Sequence, residues 1–404
     1  MLAGRHGPAV RWALDFQVRV GTFFGATRMV PVSSAHVAAD VGLTGDAGLE
    51  FVERLVEQGA RVRVPAVTDP RSVDFDHYRE FGQPEAHVAK ERRLVEALTK
   101  MGMLPCHTCI NYQTVTPPRF GEHLGWGDTG SVIFANSVAG ARSNFEGGPA
   151  AVAAALTGRV PAYGFHLPEQ RRATFVVEVR DRPTEWADWG ALGCWIGRRV
   201  TSYWEVPALV VPDTDPSVDD LKHLGAALAS YGSMAMFHLV GVTPEAPTLD
   251  VATGGREPAR RLVVEPGALA EVYASFRPEH AQIDLVVFTA PQLSLLEVQT
   301  IVERLDGRRV APSTRLILTV NHQVRAEAER FGYVGQIERA GGLVLAGVCF
   351  YVMTPEILRE VNGYRTILTN SAKLANIIAG SGYNPILRRL DVCLDAAVRG
   401  RLDA

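Results

Sequence analysis

IDLVVFT (283–289) is a short, mostly apolar run rich in β-branched residues, which predicts a buried strand. Ser294-Leu-Leu-Glu297 follows it and has the form of a capping box, which predicts the start of a helix. RLILTV (315–320) and LVLAGVCF (343–350) are further predicted strands with a helix between them. Strands and helices that alternate at this spacing predict an α/β fold with largely parallel sheets.

The same alternation extends toward the amino terminus. The segment 46–59 has apolar residues at helical spacing and ends at a glycine, which predicts a helix. RVRVPAV (61–67) predicts a buried strand that is stopped by its proline. The Pro- and Asp-rich VPDTDPS (211–217) is the best candidate boundary, so we expect two approximate lobes, 1–210 and 211–404.

Composition excludes several classes of protein. Of the 404 residues, 47% are apolar and 21% are charged, which is typical of a soluble globular chain. A net charge of −3 gives no electrostatic reason to expect nucleic acid or an anionic membrane as a partner. The longest apolar run, Leu343 to Met353, is far shorter than the roughly 20 residues of a membrane-spanning helix. No signal-peptide core is visible, so a cytoplasmic location is expected.

The cysteines are Cys106, Cys109, Cys194, Cys349 and Cys393, too few for a disulfide framework. The CxxC formed by the first two lacks the second pair that zinc usually needs. It also precedes a proline-containing segment that we expect not to start a helix, unlike a thioredoxin-type motif. Soft metal ligands, for example of an iron–sulfur cluster, and packed core thiols both remain open.

The glycine-rich region 105–165 has few clean helical patterns, and long irregular segments of compact proteins tend to be functional. Asn136, Arg142 and Asn144 belong to a part of it that could present polar groups and backbone amides to an anion. A solvated loop is the alternative, but FANSVAGA (134–141) is rather apolar for one. We therefore expect a buried site in this region.

Two shorter motifs are further candidates. Thr369-Asn-Ser-Ala-Lys373 precedes a helical run, so its polar residues serve either as helix caps or as an anion site with Lys373 supplying the charge. Ser33-Ser-Ala-His36 ends an apolar run. Ser34 and His36 could belong to a substrate pocket, although a lone histidine is more often structural and no triad can be derived from the sequence.

These motifs carry a resemblance that extends over nearly the whole chain. SSAHV (33–37), GDAGLEF (45–51), the long stretch from Pro118 to His166 and TNSAKLANIIAG (369–380) resemble the large, catalytic subunit of the aconitase X family. The resemblance implies the three α/β domains of the aconitases without their mobile fourth, swivelling domain. It also implies a separate small subunit that carries this domain and a catalytic serine, so a heteromer is expected from a chain that ends at Ala404.

The resemblance further implies a metal cofactor and a set of site residues. The expected cofactor is an iron–sulfur cluster of unspecified nuclearity, or a single iron, with Cys109, Cys349 and Cys393 as ligands. The expected catalytic residues are Ser34, His36 and Lys373. The residues expected to bind substrate are Asp46, Asn136, Ser137, Arg142, Ser143, Asn144, Thr369, Asn370 and Ser371.

The chain departs from the family pattern near these residues. Asn111 stands where proline is usual, and Asp128-Thr129 stands where a Glu-Ser pair is usual. Thr289-Ala-Pro-Gln292 replaces a loop that often reads Gly-Cys-Pro-His or Gly-Thr-Pro-His. If that cysteine is a ligand in some members, this chain lacks it at Ala290, so substrate and activity are open to change.

The function implied is a hydro-lyase. Iron would stabilise the departing hydroxide as a Lewis acid, and the small subunit's serine would remove the proton alpha to a carboxylate. We expect cis-3-hydroxy-L-proline or a related hydroxy acid as substrate. The alternatives are 5-phosphomevalonate, which should need an additional cationic pocket near Arg119 or Arg142, an aconitase-type isomerase, and a catalytically divergent scaffold or sensor.

Overall fold

The computed structural model describes residues 1 and 3–403, in which helices and strands alternate along the chain. The strands are β1 (Met29–Pro31), β2 (Ala35–Val37), β3 (Ala66–Thr68), β4 (Gly125–Trp126), β5 (Arg159–Pro161), β6 (Phe175–Val179), β7 (Pro207–Val210), β8 (His238–Leu239), β9 (Arg261–Val264), β10 (Leu285–Leu293), β11 (Arg315–Val320), β12 (Gly342–Ala346), β13 (Thr366–Thr369) and β14 (Asn384–Leu387). The helices are α1 (Pro8–Phe23), α2 (Val41–Glu57), α3 (Glu85–Lys100), α4 (Asn111–Thr114), α5 (Thr129–Ser137), α6 (Gly148–Thr157), α7 (Trp186–Gly197), α8 (Val218–Gly232), α9 (Leu249–Thr253), α10 (Ala268–Ser275), α11 (Leu295–Leu305), α12 (His322–Arg330), α13 (Tyr333–Arg339), α14 (Pro355–Asn362), α15 (Ala372–Ile377) and α16 (Leu390–Arg399).

Three parallel sheets organise the molecule. Their strand orders are β3-β2-β4, β8-β7-β6-β9 and β12-β11-β10-β13-β14, and every pairing within them is parallel. The short β1–β5 pair is antiparallel. This arrangement confirms the predicted α/β fold with three lobes and largely parallel sheets, and the described residues form no fourth domain. Within the same residues, no helix is long and apolar enough to cross a membrane.

The five-stranded sheet is covered on both faces, as expected for parallel strands joined by helical crossovers. Val286 and Phe288 of β10 pack in a core cluster that includes side chains of α11 and α16. The alternate residues Leu285 and Val287 pack in a separate cluster with side chains of α14 and α15. Successive side chains of a strand point to opposite faces, so these two clusters lie on opposite sides of the sheet.

Several predicted elements of this sheet are confirmed. Strand β11 has the predicted bounds, and α11 begins with a capping box in which Ser294 and Glu297 satisfy each other's backbone N–H groups. Strand β10 is longer than predicted and extends to Leu293. Strand β12 is shorter and ends at Ala346, because Gly347 adopts a positive φ of 71° that turns the chain away from the sheet.

Other predictions near the amino terminus are wrong in detail. The strand expected to stop at Pro65 begins after it instead, as β3. Helix α2 begins at Val41, because the Asp40 side chain accepts a hydrogen bond from the Leu43 N–H and caps it. The segment after the CxxC does form a helix, the single turn α4. The division into two lobes at residue 210 stays a prediction, and β7 of the four-stranded sheet ends there, at Val210.

Candidate active site

A cavity of about 350 Å³ lies where the carboxyl ends of several strands meet. Its charged and thiol lining residues are Asp69, Cys109, Asp128, Cys349 and Lys373, and Thr129, Ser230 and Tyr351 add hydroxyl groups. Asp69 follows β3, Asp128 follows β4, and Lys373 is in the first turn of α15 after β13. Side chains beyond the carboxyl ends of parallel strands gather at one edge, which is where open α/β sheets bind ligands. The volume suits a small molecule.

Asp128 and Lys373 form an ion pair at the wall of this cavity. Asp128 caps α5 and accepts a hydrogen bond of 2.7 Å from the Ser131 N–H. The Lys373 Nζ lies 3.5 Å from the Asp128 Oδ1. Burial raises the pKa of Asp128, but Lys373, His36 and Ser131 outweigh it and hold that pKa below its usual value. Burial lowers the pKa of Lys373, but Asp128 together with Cys109, Cys349 and Asp69 outweighs it and raises that pKa, so the ammonium keeps its charge.

Asp69 has the opposite electrostatic environment. Burial, followed by the charge of Asp128, raises the pKa of Asp69 well above its usual value and favours the neutral carboxyl. The His36 Nε2 lies 3.3 Å from the Asp69 Oδ1 and 2.8 Å from the Thr108 carbonyl oxygen. Since a carbonyl only accepts, His36 carries its proton on Nε2. Burial lowers the pKa of His36, so the imidazole is neutral. His36 therefore contacts Asp69, which lines the cavity, but His36 itself is not part of the lining.

Two of the three predicted metal ligands face the cavity. The Cys109 Sγ accepts a hydrogen bond of 3.3 Å from the Gln292 N–H, and the Cys349 Sγ accepts one of 3.7 Å from the Thr289 hydroxyl. Burial raises the pKa of both thiols. Cys393 is elsewhere, in α16, with its Sγ 3.5 Å from the Arg388 carbonyl oxygen. Cys393 packs on one face of the five-stranded sheet and Cys349 on the other.

Four residues predicted to bind substrate have side chains that form hydrogen bonds with main-chain groups instead. The Asn136 amide donates to the Ser143 and Ala235 carbonyl oxygens, each at 2.9 Å, and accepts from the Ser143 N–H. Ser137 accepts from the Phe237 N–H. The fourth residue, Asn144, donates to the Tyr163 carbonyl oxygen and accepts from the Phe165 N–H. Asn136, Ser137, Ser143 and Asn144 thus lie outside the cavity lining and hold the irregular segment in place.

Three further candidates also lie away from the cavity lining. Arg142 donates to the His166 carbonyl oxygen at 3.4 Å. Asp46 is an exposed residue of α2 that pairs with Lys90 at 2.6 Å. Ser34 accepts a hydrogen bond of 3.0 Å from the Trp126 indole N–H, which is a packing role.

The TNSAK motif contributes its lysine to the cavity, while its other polar residues fix the start of α15. Ser371 caps the helix through the Leu374 N–H and donates to the Ala290 carbonyl oxygen at 2.6 Å. Thr369 accepts from the Ser371 N–H. Asn370 is buried, and its side-chain amide has no hydrogen-bond partner among the described residues. The helix-cap interpretation thus holds for Thr369 and Ser371, while the anion-site interpretation stays a prediction that rests on Lys373.

Asp69 is the main cavity residue that sequence reasoning missed. The signal was an acid in Thr68-Asp69-Pro70, directly after a strand. Because that strand was expected to end at Pro65, Asp69 was not recognised as lying at its carboxyl end. Asp128 was noticed as a departure from a family pattern but was not assigned to the site.

Models of three consecutive domains match the chain. The Aconitase X first domain matches residues 1–169, the second domain matches 173–274 and the third domain matches 283–399. Each range contains one of the three parallel sheets. The chain belongs to the aconitase X family.

Named relatives are dehydratases. The chain is 37% identical over 408 residues to cis-3-hydroxy-L-proline dehydratase of Pseudomonas aeruginosa, a match that covers 100% of this chain and 70% of the relative. It is 35% identical to the phosphomevalonate dehydratase large subunit of Thermococcus kodakarensis, covering 95% of this chain and 94% of the relative. The crystal structure of aconitase X from Thermococcus kodakaraensis superimposes with a TM-score of 0.88 at 34% identity, covering 98% of this chain and 97% of that one.

An iron–sulfur cluster held by three cysteines of this chain does not fit these residues. Cys109 and Cys349 share the cavity, but Ala290 occupies the loop position where the resemblance implies cysteine in some members, and Cys393 is not among the residues that line the cavity. Among the described residues, no group of three or more His, Cys, Asp or Glu side chains is arranged to hold a metal ion. Iron therefore stays a prediction from the resemblance, with two thiols as the ligands available at the cavity.

Proposed function

We propose that the chain is the large subunit of a hydro-lyase that dehydrates cis-3-hydroxy-L-proline or a closely related hydroxy acid together with a small subunit. The observation that carries the proposal is the charge of the cavity lining. Lys373 is the one cation among the described lining residues, and it faces Asp128 and Asp69. A cytoplasmic location remains part of the same prediction.

An amino acid matches these charges better than a phosphate does. Its carboxylate would bind the Lys373 ammonium and its amine would bind the ionised Asp128. A phosphorylated substrate would need several cations, and the two arginines considered for that role lie outside the lining. Arg119 is an exposed residue paired with Glu122, and Arg142 contacts His166. This difference favours hydroxyproline over 5-phosphomevalonate.

Dehydration breaks the C–H bond next to the carboxylate and the C–O bond of the neighbouring carbon, and a C=C bond forms. Hydroxide is a poor leaving group, so the departing oxygen must receive a proton and leave as water. Asp69 suits this step, because its carboxyl is favoured in the neutral, proton-donating form and lines the cavity. We assign removal of the C–H proton to the serine expected in the small subunit. The enamine product would tautomerise to a cyclic imine.

The test is product analysis on the chain co-expressed and purified with its small subunit. Nuclear magnetic resonance would follow cis-3-hydroxy-L-proline and 5-phosphomevalonate in separate reactions. The proposal expects a cyclic imine from the first and no turnover of the second. A dehydrated phosphomevalonate would establish the alternative substrate, a rearranged hydroxy acid would establish an isomerase, and an inert complex would favour the scaffold or sensor.

Two substitutions separate the roles of the cavity residues. Asp69→Asn keeps the shape but removes the acidic proton, so we expect kcat to fall by about 10²–10⁴-fold with little change in KM. Lys373→Ala removes the carboxylate partner, so KM should rise as well. Asp15→Asn, an exposed acid of α1 paired with Arg19, is the matched control and should keep full activity. Equal kcat for Asp69→Asn and the unmodified chain would exclude Asp69 as the proton donor.

A further inference from the structure

Gln292 is a fully buried residue near the carboxyl end of β10. Its main-chain N–H donates to the Cys109 Sγ at 3.3 Å. Its side-chain Nε2 donates to the His107 and Val348 carbonyl oxygens, each at 3.1 Å. His107 is two residues before Cys109 and Val348 is one residue before Cys349. One side chain thus ties together the two loops that bring cysteines to the cavity.

The arrangement uses the whole donor capacity of the residue. A primary amide has two N–H groups, and here each has a carbonyl partner on a different loop. The main-chain carbonyl oxygen of Gln292 in turn accepts a hydrogen bond from the buried Lys222, whose Nζ lies 3.4 Å away. The two loops are distant in sequence and have Gln292 as a common anchor. Their relative position therefore depends on these bonds.

We propose that Gln292 is a positioning residue that sets the places of Cys109 and Cys349 relative to each other at the cavity. Its importance for catalysis rests on the proposed function, whereas its effect on the two thiols does not. Removing the amide leaves two buried carbonyl groups unpaired, which destabilises the closed arrangement of the two loops. The loops should then open locally more often and expose their thiols.

Gln83 provides a matched comparison. It is also buried, and its Nε2 donates to the Ser72 and Met353 carbonyl oxygens at 2.8 and 3.1 Å. It therefore bridges two distant segments in the same way, but it makes no bond to the Cys109 loop. Methionine has nearly the length of glutamine and no donor, so Gln292→Met and Gln83→Met remove equivalent bonds from similar environments.

The experiment measures how fast N-ethylmaleimide labels each cysteine of the full chain, with peptide mass spectrometry as the readout. A chelator is present, because a bound metal would shield the thiols. We expect Gln292→Met to label Cys109 and Cys349 about tenfold faster or more, since about 1.4 kcal/mol corresponds to a factor of ten. The buried Cys194 and Cys393 should keep their rates. Gln83→Met should leave the Cys109 rate unchanged.

Two results would overturn the proposal. Unchanged Cys109 and Cys349 rates in Gln292→Met would show that the amide does not hold the loops. Equal acceleration of all four buried cysteines would show a general loss of stability instead of a local role. Gln292→His, which retains one ring N–H donor, should bring both rates back toward the unmodified values, and its failure to do so would also count against the proposal. Turnover plays no part in the measurement, so an inactive complex would leave its outcome unaffected.

Discussion

Glu146 is a buried acid whose environment makes its charged form costly. Its side chain is 3% exposed, and burial raises its pKa to about 7. In the unfolded chain the pKa is near the ordinary value of about 4.3. The folded state therefore binds this proton more tightly, so its contribution to stability is complete below the unfolded pKa and is lost as pH rises through about 7.

Glu146→Gln removes this titration while keeping the shape of the side chain. We expect the variant to match the unmodified chain in free energy of unfolding to within about 0.5 kcal/mol at about pH 4, and to be more stable by up to about 3 kcal/mol at about pH 8. Urea unfolding followed by circular dichroism at both pH values measures the difference. Glu57→Gln, at an exposed position of α2, should show no such pH-dependent gain. If the free energy of unfolding of Glu146→Gln differed from that of the unmodified chain by the same amount at both pH values, the expectation would be wrong.

Individual site residues were predictable where a local pattern carried them. Cys109 and Lys373 belong to short motifs with recognisable spacing, and both line the cavity. Asp69 was missed because one strand boundary was misplaced. Cys393 could not be separated from Cys349 by sequence, because the cavity is lined by residues from distant parts of the chain, and α16 is not among the elements that reach it. Which elements reach the cavity is decided by long-range packing.

At the scale of secondary structure, a buried charge cluster joins α8 to α11. Lys222 is fully buried, lies 2.9 Å from Asp219 and bonds to Glu297, which also accepts from the His223 ring at 2.8 Å. Burial lowers the pKa of Lys222, but Asp219 and Glu297 outweigh it and raise that pKa, so the ammonium is charged. The cluster connects the second and third lobes beneath Gln292.

Lys222→Met should destabilise the chain by about 3–5 kcal/mol, because it leaves two carboxylates in the interior without their cation. Lys100→Met is the matched control. Lys100 also pairs with a glutamate, Glu96, but its side chain is 56% exposed, and such pairs contribute about 0–1 kcal/mol. Urea unfolding of both variants gives the comparison. If the two variants lose equal stability, the buried cluster is not a major link between the lobes.

Helices and strands were predicted correctly where a few neighbouring residues contain the whole sequence pattern. The capping box of α11 and the apolar run of β11 are complete within a few residues, and both predictions are confirmed. The strand predicted in RVRVPAV (61–67) is misplaced. The side chains before Pro65 alternate between exposed and half-buried, and the buried strand β3 consists of the residues that follow Pro65. A short apolar pattern does not reveal which part of it will find a partner strand.

At the scale of the whole molecule, the cavity exists because all three lobes meet. Asp69 and Asp128 come from the first lobe, Ser230 from the second, and Cys349 and Lys373 from the third. Periodicity predicted the α/β class, and the family resemblance implied three lobes. Neither could place side chains hundreds of residues apart, because their convergence depends on contacts between lobes. The resemblance therefore contributed candidate residues, and the packing of the lobes decides which of them share a site.

Because only Cys109 and Cys349 reach the cavity among the buried cysteines, we expect these two, and not Cys194 or Cys393, to be needed for iron binding. In the complex with the small subunit, purified without oxygen, Cys109→Ser and Cys349→Ser should each lose most of any iron bound by the unmodified protein, because serine is a harder ligand than a thiolate. Cys393→Ser and Cys194→Ser should retain it, since both thiols are buried away from the cavity. Iron assays on the four variants and the unmodified complex provide the measurement. Loss of iron in Cys393→Ser alone would mean that α16 moves to the cavity when the small subunit binds.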